Sequence, residues 1–131
     1  MKQIGLLNQP LSSVVSGMGH LDTLVIADAG LPIPSGTERI DLAVAKGIPG
    51  FIDTLRATLT ELKIESVIIA DGMAEHSPSI RAALDELIGD VPVHTVSHDA
   101  FKAQSASARA IVRTGEFSPY ANIILVAGVV F

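Results

Sequence analysis

Short aliphatic runs alternate along the chain with amphipathic stretches, and that alternation predicts a layered α/β domain. Thr23-Leu24-Val25-Ile26-Ala27, closed by Asp28 and Gly30, is uninterrupted in its apolar character and reads as a buried strand. Ser66-Val67-Ile68-Ile69-Ala70, closed by Asp71-Gly72, repeats the design. Val91 to Ser97, Ala110 to Arg113 and Ile123 to Ala127 predict three more strands, and Glu38 to Leu42 a weaker one with alternating polarity. Runs that lack polar alternation belong to sheets covered on both faces. Between them, Phe51, Leu55, Leu59 and Leu62 keep helical spacing with Arg56, Glu61 and Lys63 left for water. A second helix opens with Ser77 as cap and Pro78 at its first position, carries Ile80, Ala83, Leu84, Leu87 and Ile88, and stops at Gly89. Further helices are expected from about Pro10 to Ser16 and from just after Ser97 to about Ala108. The predicted fold is a single three-layer α/β/α domain over residues 1–131 with a largely parallel central sheet.

Composition narrows the chemistry. At 131 residues the chain is one domain, large enough to bury a core without cross-links. It contains no Cys, so a disulfide scaffold, a thiol nucleophile and Cys-ligated metals are excluded. A net charge of −5 gives phosphate backbones and anionic lipid nothing to bind, so neither nucleic acid nor a membrane is an expected partner. The N-terminus lacks a signal-peptide pattern, and the longest apolar run, Ile123 to Phe131, is too short to cross a bilayer. A cytoplasmic protein is expected. Aromatic residues are only 4%, so the core is aliphatic, and the apolar C-terminal tail is expected to bury itself against a neighbouring subunit.

In open α/β sheets ligands sit beyond the carboxyl ends of the strands, which directs attention to Asp28, Asp71, His98 and the Arg113 to Asn122 segment. Gly17-Met18-Gly19-His20 precedes a strand and lacks a third spaced Gly, so it is no dinucleotide fingerprint, and no phosphate loop occurs. Histidine exchanges protons near neutrality, so each of the four counts. His94 and His98 have the spacing of a helical metal pair but lie on a run that reads as a strand, where four residues span about 13 Å. No metal site and no cofactor is expected. Bland alternatives are available for several candidates. His20 could meet the negative end of a helix dipole, and Asp28 could bond its own backbone in a turn. Asn122 could merely start a strand, and Tyr120 could be a core aromatic with its hydroxyl in water. His76 reads as a solvated loop residue with no role.

Three segments nevertheless carry a resemblance that covers essentially the whole chain: Gly19-His20-Leu-Asp22, Ile26-Ala-Asp28-Ala-Gly-Leu-Pro32 and Ile111-Val-Arg-Thr-Gly-Glu-Phe-Ser-Pro-Tyr-Ala-Asn122. With these, and the ending Ala127-Gly-Val-Val-Phe131, the chain resembles the D-ribose pyranase family, relatives of the L-fucose mutarotases. The resemblance implies interconversion of the pyranose and furanose forms of a free aldose, D-ribose, without cofactor or metal. It places the family's general acid on His20 and its sugar contacts on Asp28, His98, Tyr120, Ala121 and Asn122. It also implies a homo-oligomer built as rings of subunits, typically a decamer of stacked pentamers, with sites near subunit boundaries. A fucose-type mutarotase is the near alternative. Two readings from other classes are a histidine phosphocarrier using His20 and a non-catalytic sugar-binding module.

Overall fold

The computed structural model describes all residues from Met1 to Phe131. Along the chain come α1 (Gln9–Gly17), β1 (Thr23–Ala27), β2 (Arg39–Asp41), α2 (Phe51–Leu59), β3 (Ile64–Ala70) and α3 (Met73–His76). These are followed by α4 (Pro78–Ile88), β4 (Val93–Val96), α5 (His98–Ser105), β5 (Ile111–Arg113) and β6 (Ile123–Ala127). The strands form one sheet in the order β2-β5-β1-β6-β3-β4. β2, β5 and β1 pair in parallel, as do β3 and β4. β6 lies between β1 and β3 and runs antiparallel to both. Five strands therefore share one direction, as expected of a largely parallel sheet, and the reversed strand sits at its centre.

Because side chains alternate along a strand, each buried strand feeds both faces of the sheet. Leu24 and Ile26 of β1, Ile123 and Leu125 of β6, and Val67 and Ile69 of β3 join the larger core cluster. That cluster also takes Leu11 and Val15 of α1, Phe51 and Leu55 of α2, and Leu84 and Ile88 of α4. Val25, Ala27, Ile111 and Ile124 face the other way and meet Phe101 of α5, with Leu31 and Ala108. This second layer is thin, resting on a single helix, but it covers the sheet face and explains the uninterrupted apolar runs.

Local chemistry accounts for the helix ends. The Asn8 side chain accepts from Leu11 N at 3.0 Å and Ser97 Oγ from Ala100 N at 3.1 Å, so α1 and α5 are side-chain capped. The start of α2 has no cap of its own, and Glu116, distant in sequence, accepts from Phe51 N at 3.0 Å. Two expectations fail at this scale. Ser77 does not cap α4; its hydroxyl donates to the Pro119 carbonyl at 2.6 Å, because the chain enters α4 directly from α3. Helix α2 stops at Leu59 instead of reaching Leu62, since Thr60 donates both its N–H and its hydroxyl to the Ala57 carbonyl and tightens the turn. The four-residue helix α3 is unforeseen, being too short to display a period. No helix is long and apolar enough to cross a membrane. At the C-terminus Val130 and Phe131 are exposed, and so is Leu21, whose backbone is left-handed (φ 68°) and whose N–H donates to the Ala127 carbonyl.

Candidate functional site

Reversal of β6 decides what faces what. Ile123 pairs with Ile26, so the residues that precede β6 arrive at the carboxyl end of β1, where Asp28 stands. Asn122 is 1% exposed and clasps Asp28 through both arms of its amide. Its Oδ1 accepts from Asp28 N at 2.8 Å, and its Nδ2 donates to Asp28 Oδ2 at 2.9 Å. Asp28 Oδ1 accepts from Gly30 N at 2.9 Å, so the turn-forming role expected of an Asp here is present together with the amide clasp. The carboxylate is thereby fixed on both oxygens, with lone pairs left over for a ligand.

Tyr120 is the second anchor. Its backbone lies in the left-handed region (φ 61°), uncommon for a residue with a side chain, and the Asn122 N–H closes the turn on the Tyr120 carbonyl at 2.8 Å. The ring packs over Gly72, where a Cβ would lie 2.9 Å from the ring carbons, so a glycine is required by this close approach. Two imidazoles flank the ring. His98, the first residue of α5, meets it edge-on with centroids 5.0 Å apart. His76, on α3, stacks on it at 5.1 Å and 25°. His98 Nδ1 is buried without a hydrogen-bond partner in the chain, an exception to the usual pairing of buried polar atoms.

Asp28, His98, Tyr120 and Asn122 line one cavity of about 380 Å³, together with Lys102, Gly30, Leu31, Pro32 and Pro119. That is the lower end of small-molecule sites, suited to a compact ligand. A carboxylate, an amide, an imidazole, an ammonium and a phenol ring give it acceptors, donors and one flat apolar face, the requirements of a small polyhydroxylated molecule. An adjoining cleft of about 420 Å³ shares Asp28, Gly30 and Pro119 and is walled by Arg113 and Glu116. Partial burial opposes ionisation of Glu116, but the Phe51 N–H, the Ser118 hydroxyl and two further N–H groups outweigh it and hold the carboxyl below its ordinary range. Arg113 donates to the Ala29 carbonyl at 3.0 Å and pairs with Asp41 at 3.1 Å, bracing the turn that carries Asp28.

His20 stands elsewhere. It precedes β1 while Asp28 follows it, so the two are separated by five strand residues rising about 3.3 Å each. His20 is therefore at the amino edge of the sheet, a strand length of about 17 Å from the carboxyl edge that carries the cavity. It is not at a helix end either, since α1 stops at Gly17. Its Nε2 lies 2.9 Å from Glu65 Oε2. The loop is held by Asp22, whose carboxylate accepts from Gly19 N at 2.8 Å and pairs with Arg109. Those two contacts hold the Asp22 carboxyl below its usual range.

Other expectations resolve individually. Ala121 is fully buried in the larger core cluster and is absent from the cavity lining. Asp71 ends β3 but is exposed and off the cavity. His94 lies on β4 and His98 opens α5, and no three His, Asp or Glu side chains converge in a metal-binding arrangement. His76 is half exposed yet packed on Tyr120, so the solvated-loop reading is corrected. Lys102 is a lining residue without a motif of its own; its only signal in the sequence is that it lies one turn beyond His98 on an expected helix, a spacing that places both on one face.

Comparison with known proteins matches residues 1–130 to the model of the RbsD / FucU transport protein family. A D-ribose pyranase from Symbiobacterium thermophilum is 55% identical over 131 residues, all of both chains. The structure of Bacillus subtilis RbsD complexed with D-ribose is 42% identical over the whole of both chains, with a TM-score of 0.97. A fucose mutarotase in complex with L-fucose from Streptococcus pneumoniae is 28% identical over 95% of each chain, with a TM-score of 0.83.

Proposed function

The chain belongs to the RbsD / FucU transport protein family, and we propose that it is a D-ribose pyranase, an isomerase that interconverts the pyranose and furanose forms of free D-ribose. The observation that carries this reading is the carboxyl-edge cavity, where a clasped carboxylate, an amide, an imidazole and a tyrosine ring converge on the fold of a protein that binds D-ribose. Ribose is favoured over fucose because the identity to ribose pyranases is about twice that to the fucose mutarotase.

In this reading Asp28 and Asn122 take sugar hydroxyls, His98 and Lys102 contribute further polar contacts, and Tyr120 offers its ring to a sugar face. Ring opening transfers one proton from the anomeric hydroxyl to the ring oxygen as the bond between that oxygen and C1 breaks, leaving an aldehyde and a free hydroxyl. Closure as a furanose reverses the transfer with a different hydroxyl attacking C1. The His20 imidazole relays the proton, taking it from one oxygen and returning it to the other, and no covalent intermediate is needed.

His20 cannot reach the cavity of its own protomer across about 17 Å. It serves the cavity of a neighbour, so the active unit is a homo-oligomer in which the amino edge of one subunit docks on the carboxyl edge of the next. Such a contact joins two different patches, and a heterologous contact that closes gives a ring. The exposed Leu21, Val130 and Phe131 supply apolar surface for subunit contacts, in keeping with the ring-forming homo-oligomer that the resemblance implies.

The test is saturation-transfer NMR on ribose at equilibrium, which reports pyranose–furanose and α–β exchange separately on one sample. The parent protein is expected to accelerate the first. His20→Gln is expected to bind ribose and assemble normally while exchange falls by roughly 10²-fold. Binding without any acceleration by the parent protein would leave only a sugar-binding module.

A further inference from the structure

The exposed amino edge contains one device that the fold does not need. β3 and β6 pair Ile64 with Ala127 and then Ser66 with Val126, so Glu65 is an extra residue bulged out of the ladder. A bulge costs ladder bonds and re-aims the side chain it carries, which is why bulges gather beside active sites. Here it aims a carboxylate at the His20 ring, Oε2 to Nε2 at 2.9 Å. Gly128 makes room, since a Cβ there would come within 3.1 Å of Glu65 Cβ and 3.2 Å of its backbone nitrogen. The same short stretch holds the other partner. Leu21 N donates to the Ala127 carbonyl and Ala127 N to the Asp22 carbonyl, each at 2.9 Å, while Gly128 N donates to the Lys63 carbonyl at 2.9 Å. The end of β6 is thus a common frame on which the histidine loop and the bulge are both mounted.

We propose that Glu65 is a positioning residue for the proton transfer: it holds the His20 imidazole by Nε2 and leaves Nδ1 as the atom that exchanges the proton with the sugar. The argument is one of hydrogen-bond capacity. An ionised carboxylate only accepts, so the bond to Glu65 requires a hydrogen on Nε2. In the neutral ring Nδ1 then carries the lone pair, free to take the anomeric proton and return it to the ring oxygen. Glu65 itself takes no proton, and its part is that of the third group that orients a base. The pair is half exposed, with side chains 50% and 41% accessible, so it adds little to folding and its removal isolates the orienting effect. The inference rests on the pyranase reading and on His20 as its proton carrier.

Histidine-15N spectra of the assembled protein, with His20 assigned by its loss in His20→Gln, read the tautomer directly. The parent is expected to show His20 with Nε2 protonated and Nδ1 bare, and Glu65→Ala to show a mixture. Exchange of ribose should fall on the order of tenfold or more in Glu65→Ala, with ribose affinity within about twofold of the parent. Glu65→Gln, which keeps the size and an acceptor oxygen, should recover part of the rate. Parental exchange or a parental tautomer in Glu65→Ala would overturn the positioning role while leaving His20 in place. Parental exchange in His20→Gln would instead sink the proton-carrier reading and this inference with it.

Discussion

Replacing Asn122 by Ala tests the geometry of the cavity most directly. The amide is buried and makes two bonds to one residue, at 2.8 Å to the Asp28 N–H and at 2.9 Å to its carboxylate. The bond to an ionised acceptor is worth about 1.5–3 kcal/mol and the neutral one about 1 kcal/mol. Asp28 is only partly buried, so water recovers some of this in the variant, and a net loss of about 2–3 kcal/mol is expected. Unfolding entropy of about 2.1 cal/mol/K per residue, taken over the chain, converts that to a fall in Tm of about 7–11 °C. Melting has to be compared at one protomer concentration, because assembly contributes to the apparent stability. The second effect falls on binding. Once released, the carboxylate no longer holds one orientation, and ribose should bind roughly tenfold more weakly. A double-mutant cycle with Asp28→Ala, read by titration calorimetry, separates the causes. If Asn122 acts by holding Asp28, the two losses are strongly non-additive, with a coupling of about 1–2 kcal/mol. Strict additivity, or parental Tm and affinity in Asn122→Ala, would refute the clasp as the organiser of the site.

Three further outcomes follow from particular contacts. His76→Ala removes the ring stacked on Tyr120, an interaction worth about 0.5–1.5 kcal/mol, and should weaken ribose binding a few-fold in the same calorimetric assay with assembly intact; unchanged affinity would make the stack irrelevant to the sugar. Deleting residues 129–131 strips exposed apolar surface from the C-terminus and should shift light scattering toward smaller species and lower ribose exchange together, whereas retained assembly would move the interface elsewhere. Asp22, Glu61 and Glu116 all have folded pKa values below their unfolded ones. Their stabilising effect is therefore complete above the unfolded values near pH 4 and is lost as pH falls through the folded ones, so Tm should drop steeply only in that acid window, less so in Glu116→Gln.

Much of this architecture was legible in the chain because burial leaves a local trace. A strand covered on both faces has to be apolar at every position, so Thr23–Ala27 and Ile123–Ala127 could be read with their limits. Ser97 and Pro78 mark helix starts because capping and the missing proline N–H are properties of single residues. Asp28, His98, Tyr120 and Asn122 are candidates by strand-end position and by resemblance, and the fold brings these four to one cavity. Strand direction leaves no such trace. An apolar run reads alike in either sense, and only the sheet reverses β6 and so carries Tyr120 and Asn122 to the edge where Asp28 lies. The same three-dimensional order separates His20 from that cavity by the length of β1, sets His76 against Tyr120 and bulges Glu65 toward His20. These are contacts between residues far apart in sequence, fixed by how strands register and stack, and neither composition nor periodicity encodes a register.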